Sequence, residues 1–160
     1  MIILGIDPGL SGALAFIDTE EGVVTIHDMP VVEIVRNGKE KREVSAHLVA
    51  DIVSGCPKQI AAAYVERVGG MTGQGVTSVF SFGRSAGILE GVLAACGVPY
   101  TLVPPQTWQK AVGIRGGKDG SREQAMQRFP NQSSLFSRKK DDGRADATLI
   151  AVYGAKANQK

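Results

Sequence analysis

The aliphatic run Ile2-Ile-Leu-Gly-Ile-Asp7, followed after a Pro/Gly turn by Ala13-Leu-Ala-Phe-Ile-Asp18, leaves the chain few choices. Ile2, Ile3, Leu4 and Ile6 carry no polar break, which marks a strand buried on both faces of a sheet. Pro8, Gly9 and Gly12 turn the chain and Ala13 to Ile17 resume the run, so a hairpin forms with Asp7 at its mouth. That carboxylate has two readings: the start of an Asx-turn, or a metal or phosphate ligand held on a rigid strand.

The segment from Gly22 to Pro30 alternates as a third strand, with Glu20-Glu-Gly22 as its turn, so three antiparallel strands open the fold. Residues 33–43 are charged and read as an exposed loop or small hairpin turning at Asn37-Gly38. Ser45 caps a helix carrying Leu48, Val49, Ile52 and Val53 at helical spacing until Gly55 and Pro57 stop it. His27 and His47 have no matching ligand nearby and read as structural. Ile60 to Val65 form a second buried run, reached through a helix and so parallel to the first strand; it ends in Glu66. Two parallel strands each delivering a carboxylate at the C-terminal end border the crevice where open α/β sheets bind ligands.

Val68 to Ser78 form a glycine-rich loop too irregular for a GxGxxG or Walker motif. A helix over Val79–Cys96 follows, with Val79, Phe82, Ala86, Leu89, Leu93 and Cys96 on its core face. Gly83, Gly87 and Gly91 make a stripe on another face. Each costs roughly 1 kcal/mol relative to alanine inside a helix, which points to close approach of a second backbone, either the sheet or a partner's helix. Pro99 to Val103 is the fifth strand. Gln106 to Val112 is a short helix with Trp108 and Val112 inward and Lys110 outward. A basic glycine loop over 114–120 leads to a helix over Arg122–Phe129 capped by Ser121. After a polar connection over 130–137, the last helix opens near Asp142-Gly143 with Ala145, Leu149, Val152 and Ala155 on its apolar side.

With 160 residues and an ordinary apolar balance, the expectation is one domain over 1–160. Cys56 and Cys96 lie outside any metal-type spacing and read as reduced core thiols. The apolar start is too short for a signal peptide or a membrane span, so the expected setting is the cytoplasm, away from membranes. The net charge of +2 hides an asymmetry: residues 1–103 carry 7 Lys/Arg against 11 Asp/Glu, and residues 104–160 carry 11 against 5. Lys110, Arg115, Lys118, Arg122, Arg128, Arg138, Lys139, Lys140 and Arg144 form either a phosphate-binding surface or a solvated basic face.

Asp7, Glu66 and Asp146, with Asp141-Asp142 nearby, lie in or beside apolar elements, and burying such charges together uncompensated costs several kcal/mol. A cation must join them. Oxygen ligands without a His/Cys set fit Mg²⁺ or Mn²⁺ rather than Zn²⁺. A hard-cation cluster flanked by a basic surface is the chemistry of phosphodiester cleavage.

Four segments together are similar to the RuvC-type Holliday junction resolvases, most of all their phage-encoded forms: Gly5-Ile-Asp-Pro-Gly9, Tyr64-Val-Glu66, Val103-Pro-Pro-Gln-Thr-Trp-Gln-Lys110 and Asp142-Gly-Arg-Ala-Asp-Ala147. The resemblance implies an α/β, ribonuclease-H-like fold, a five-stranded mixed sheet in the order 3-2-1-4-5 flanked by helices. It also implies a homodimer that resolves four-way junctions by paired nicks leaving 5′-phosphate ends, with two Mg²⁺ ions per site and Mn²⁺ as a substitute. By motif, Asp7, Glu66 and Asp146 map onto metal ligands. The family's further Asp or His three residues before the last ligand is here Gly143, and Asp142 is the expected substitute. Helix geometry favours it over Asp141, because residues four apart lie about 40° apart around the axis; the other use of Asp142 is as an N-cap. Lys118 falls where the family keeps a basic residue near the scissile phosphate, and Lys110, Arg115, Lys118, Lys139 and Lys140 are the expected DNA contacts. Two rivals stand beside this reading: a junction-binding protein without nuclease activity, and an actin-like phosphotransferase, which needs a second lobe.

Overall fold

The computed structural model describes residues 1–36, 38–67, 69, 73, 75–114 and 119–158. In chain order its elements are β1 (Ile2–Asp7), β2 (Ala13–Asp18), β3 (Val23–Asp28), β4 (Val31–Arg36), β5 (Lys39–Val44), α1 (Ala46–Ser54), β6 (Ile60–Glu66), α2 (Val76–Ala95), β7 (Tyr100–Val103), α3 (Pro105–Val112), α4 (Gly120–Arg128) and α5 (Asp142–Ala157). Two 3-10 turns, Pro130–Phe136 and Lys139–Asp141, join the last two helices.

The main sheet runs β3-β2-β1-β6-β7, and β4 and β5 form a separate hairpin. Counting only the main-sheet strands, this is the expected 3-2-1-4-5. β1, β2 and β3 pair antiparallel, whereas β6 joins β1 and β7 joins β6 in parallel. The unbroken apolar sequence of β1 has a direct cause: Leu4 and Ile6 pack with Val49, Val53, Leu89 and Leu93 under α1 and α2, while Ile3 packs with Trp108, Leu149 and Ile150 on the other face. α5 lies against β1 at Gly5, where a Cβ would come within 2.1 Å of the Ala147 carbonyl oxygen. Only glycine permits that approach, and it is what brings the start of α5 to the end of β1.

Several local expectations hold. Ser45 accepts a hydrogen bond from the Leu48 N–H at 3.3 Å and caps α1, and the 31–44 hairpin forms, with Gly38 in its turn at φ 70°. Asn37 lies outside the described residues. His47 is exposed beside Asp51, and His27 stands edge-on to Phe16.

Others need correction. Leu48, expected in the core, is exposed, since Val49 and Val53 alone of α1 reach full burial. α2 begins at Val76 because Gly75 takes the N-cap place and its carbonyl accepts from Ser78 and Val79. Ser121 is inside α4, not its cap: the Asp119 carbonyl accepts the Glu123 N–H and starts the helix earlier. The segment after α4 is not simply polar, for Phe136 is fully buried against α5 and its neighbours. The sheet is excluded as neighbour of the Gly83, Gly87 and Gly91 stripe, because a Cβ on any of them meets nothing within 4 Å.

Candidate active site

β1 and β6 are adjacent and parallel, with Ile6 beside Val65, so Asp7 and Glu66 leave the same edge of the sheet. α5 crosses that edge and adds Asp142 and Asp146. Asp7, Asp142 and Asp146 line one cleft of about 340 Å³ together with Lys139, Lys140 and the Gly9–Gly12 turn. The Asx-turn and the site prove compatible: Asp7 Oδ1 accepts the Gly9 N–H at 3.1 Å while the carboxylate still faces the cleft.

Each carboxylate has a different neighbourhood. Burial pushes the Asp7 carboxyl up, and only the Gly9 N–H opposes it. Glu66 Oε2 accepts from Trp108 Nε1 at 2.9 Å. Burial outweighs that bond and, with the charges of Asp7 and Asp146, lifts Glu66 to about 7. Asp146 is lifted to about 6, by burial first and then by Asp7 and Asp142, with the Ser121 hydroxyl pulling the other way. Its Oδ1 is buried without a hydrogen-bond partner. Trp108 is legible in the sequence only as a core residue; its spacing in a short amphipathic helix gives no sign of its N–H reaching Glu66.

Asp141 and Asp142 separate as the helix geometry predicts. Asp141 is 1% exposed and faces away from the cleft, held by Arg138 Nη2 at 2.8 Å and by the Arg138 backbone N–H at 2.8 Å. Burial pushes its carboxyl up, but Arg138 and Arg144 outweigh this and hold it below the ordinary range. Asp142 is the first residue of α5, and Asp141 takes the N-cap place. The N-cap use of Asp142 is thereby excluded. Its Oδ1 accepts from Arg122 Nε at 2.8 Å, and Arg122 also pairs with Asp119. Gly143 leaves no room for the family's ligand: a Cβ there would lie 2.3 Å from the Ser11 carbonyl oxygen and 2.7 Å from Gly12 Cα.

The basic surface divides. Lys139 and Lys140 rim the acidic cleft. Arg122, Arg138 and Arg144 are instead committed to Asp142, Asp141 and Asp28, and Arg128 donates to the Val112 carbonyl, so these four are structural. Lys110 is exposed on α3 beside Gln106 and Thr107, on a shallow surface apart from the cleft. Arg115 and Lys118 lie outside the described residues.

Among the described residues no three acidic, histidine or cysteine side chains form a group that could hold a metal ion as they stand. Glu66 is turned to Trp108 and Asp142 to Arg122. The donor set nevertheless fits a hard cation: oxygen atoms only, three carboxyls pushed toward their protonated form, and one buried oxygen of Asp146 unpartnered.

No family model matches the chain. Over 92 residues, 56% of this chain, it is 35% identical to the chloroplastic Holliday junction resolvase MOC1 of Chlamydomonas reinhardtii, of which the match covers 10%. RuvC from T. thermophilus, solved in complex with a Holliday junction substrate, superposes with a TM-score of 0.64 at 15% identity over 99% of this chain and 96% of that one. A second Thermus thermophilus RuvC structure gives 0.59 at 15% identity, over 99% and 97%. The chain thus has the ribonuclease-H-like fold of RuvC, and part of its sequence is homologous to a Holliday junction resolvase.

Proposed function

We propose that this chain is a structure-specific endonuclease that hydrolyses phosphodiester bonds in four-way and related branched DNA junctions, with paired nicks that leave 5′-phosphate ends. The observation that carries this reading is the meeting of Asp7 and Asp146 with Lys139 and Lys140 in one cleft, beside the strand end that carries Glu66. Divalent ions, Mg²⁺ with Mn²⁺ as a substitute, two per site, supply Lewis acidity toward an attacking water and a departing 3′ oxygen when bound. Asp7, Glu66 and Asp146 would hold them through oxygen. Trp108 fixes the rotamer of Glu66, and Arg122 keeps Asp142 beside the site as the fourth donor. Lys139 and Lys140 take phosphate oxygens. Lys110, Arg115 and Lys118 are further DNA contacts in this reading, and Lys118 stands at the motif position of a basic residue near the scissile phosphate.

Two copies place two such sites on one junction. A homodimer is supported by the outer face of α2, where Val76 and Phe80 are 86% and 66% exposed in line with Gly83, Gly87 and Gly91. A large exposed apolar residue next to open glycines suits a second helix packed close.

The Arg122–Asp142 pair favours one rival, a junction-binding protein whose acids only form ion pairs. A synthetic four-way junction incubated with the protein in Mg²⁺ and in EDTA separates the two. Symmetric nicks in Mg²⁺ alone support the nuclease, and binding without nicks in either condition supports the rival.

A further inference from the structure

Beside the acidic cleft runs a second groove of about 610 Å³, between the β4–β5 hairpin and the first turns of α2. It is lined by Lys41 and Arg42 from the hairpin and by Thr77, Ser78 and Ser81 from the helix, and no carboxylate lines it among the described residues. Gly9 and Ser11 belong to both hollows, so the groove continues the cleft around the turn that follows Asp7.

Of the hairpin's cations Lys39, Lys41 and Arg42 make no ion pair among the described residues, and the last two line the groove. Glu43 is neutralised by Arg84 Nη2 at 3.1 Å and by Arg36 Nη1 at 3.8 Å, and the first of these pairs ties the hairpin to α2. Glu33 faces Arg42 across the hairpin, yet among the described residues neither Lys41 nor Arg42 makes an ion pair. Two cations and the hydroxyls of Ser11, Thr77, Ser78, Ser81 and Ser85, set around Leu10 and Phe82 without an acid, make a surface for an anion with several oxygens in a row. Nucleic acid backbones are held by this combination, Lys/Arg for charge and Ser/Thr as hydroxyl donors.

We propose that this groove binds the phosphate backbone of the DNA strand that enters the acidic cleft, so that the hairpin is a second DNA-holding element. The inference rests on the nuclease reading above. A single small anion would be held at one end only; an extended polyanion uses both hollows, which is why their continuity favours a strand.

The test is the salt dependence of binding to a labelled four-way junction in EDTA, for the wild type and for Lys41→Gln/Arg42→Gln. Each phosphate left without its cation flattens the log–log slope by about 0.9 on duplex DNA, so the double variant should have a slope shallower by between one and two and bind more weakly at every salt concentration, with an unchanged melting temperature. If that variant melts early, Ser78→Glu replaces it. Ser78 is exposed in the first turn of α2, where an added carboxylate suits the helix dipole, and the variant should weaken junction binding severalfold. A wild-type slope in the double variant, or wild-type affinity in Ser78→Glu, overturns the groove assignment. Failure of the wild type to bind branched DNA at all would instead overturn the nuclease reading on which it rests.

Discussion

At the scale of single residues the site turns on Gly143 and the two aspartates before it. Gly143 sits so close to Ser11 and Gly12 that an added methyl would force the backbone apart. Overpacking of this kind costs typically 1–3 kcal/mol. Gly143→Ala should therefore lower the melting temperature by several degrees, at about 2–4 °C per kcal/mol for a chain of this size, and Gly143→Asp should destabilise as well rather than improve metal affinity. The two neighbours should divide stability from chemistry. Asp141→Asn removes a buried partner of Arg138, a bond to a charged group worth about 1.5–3 kcal/mol, so thermal melting should fall while residual folded protein still cleaves. Asp142→Asn should melt like the wild type and lose cleavage. A loss of cleavage confined to Asp141→Asn in a fully folded sample would reverse the assignment. Asp7, Glu66 and Asp146 are legible in the sequence because each ends or interrupts an apolar run. The Trp108–Glu66 bond is not, because it joins residues 42 apart whose meeting depends on how α3 packs beside β6. The buried Asp141–Arg138 pair is equally hidden, since a run of charged residues carries no mark of which one turns inward.

At the scale of elements, strands declare themselves better than helix ends. Unbroken aliphatic runs mark β1, β2 and β6, and the parallel pairing of β6 follows from the helix between them. The start of α2 escapes because Val76, Thr77 and Ser78 have weak helix propensity, and the helix takes them in because the Gly75 carbonyl accepts from the Ser78 and Val79 N–H groups. Phe136 escapes because one aromatic among polar residues has no period to betray it; its burial comes from the 3-10 turn against α5. α2 also leaves its Val76–Phe80–Gly83–Gly87–Gly91 face to solvent. If a second copy covers it, Gly87→Leu should keep the monomer folded, because nothing lies within 4 Å of the new side chain's root, and should shift sedimentation from dimer to monomer. A wild type that sediments as a monomer at micromolar concentration, with and without DNA, speaks against the dimer.

At the scale of the whole molecule, two apolar layers hold the sheet rigid while its edge gathers charges that repel one another. Glu66 at about 7 and Asp146 at about 6 lie above their ordinary values, so the folded chain binds these protons more tightly than the unfolded one. The stability they contribute is full below pH about 4 and is lost as pH rises through 6 to 7. Asp18, Asp28 and Asp141, held low by Lys58, Arg144 and Arg138, act oppositely, and their contribution is lost only in more acid solution. Metal-free protein should accordingly melt at a higher temperature at pH 5 than at pH 8. At pH 8, Mg²⁺ at a hundred times its Kd should restore about 2.7 kcal/mol by mass action, and Glu66→Gln should reduce that gain. The most direct test of the central claim is nicking of a synthetic four-way junction by the wild type and by Asp7→Asn, scored with junction binding in the same samples. The wild type should nick opposing strands in Mg²⁺ and stop in EDTA, and Asp7→Asn should bind the junction as tightly or more tightly and leave it whole. Nicking that survives EDTA, or that Asp7→Asn leaves undiminished, would contradict the account.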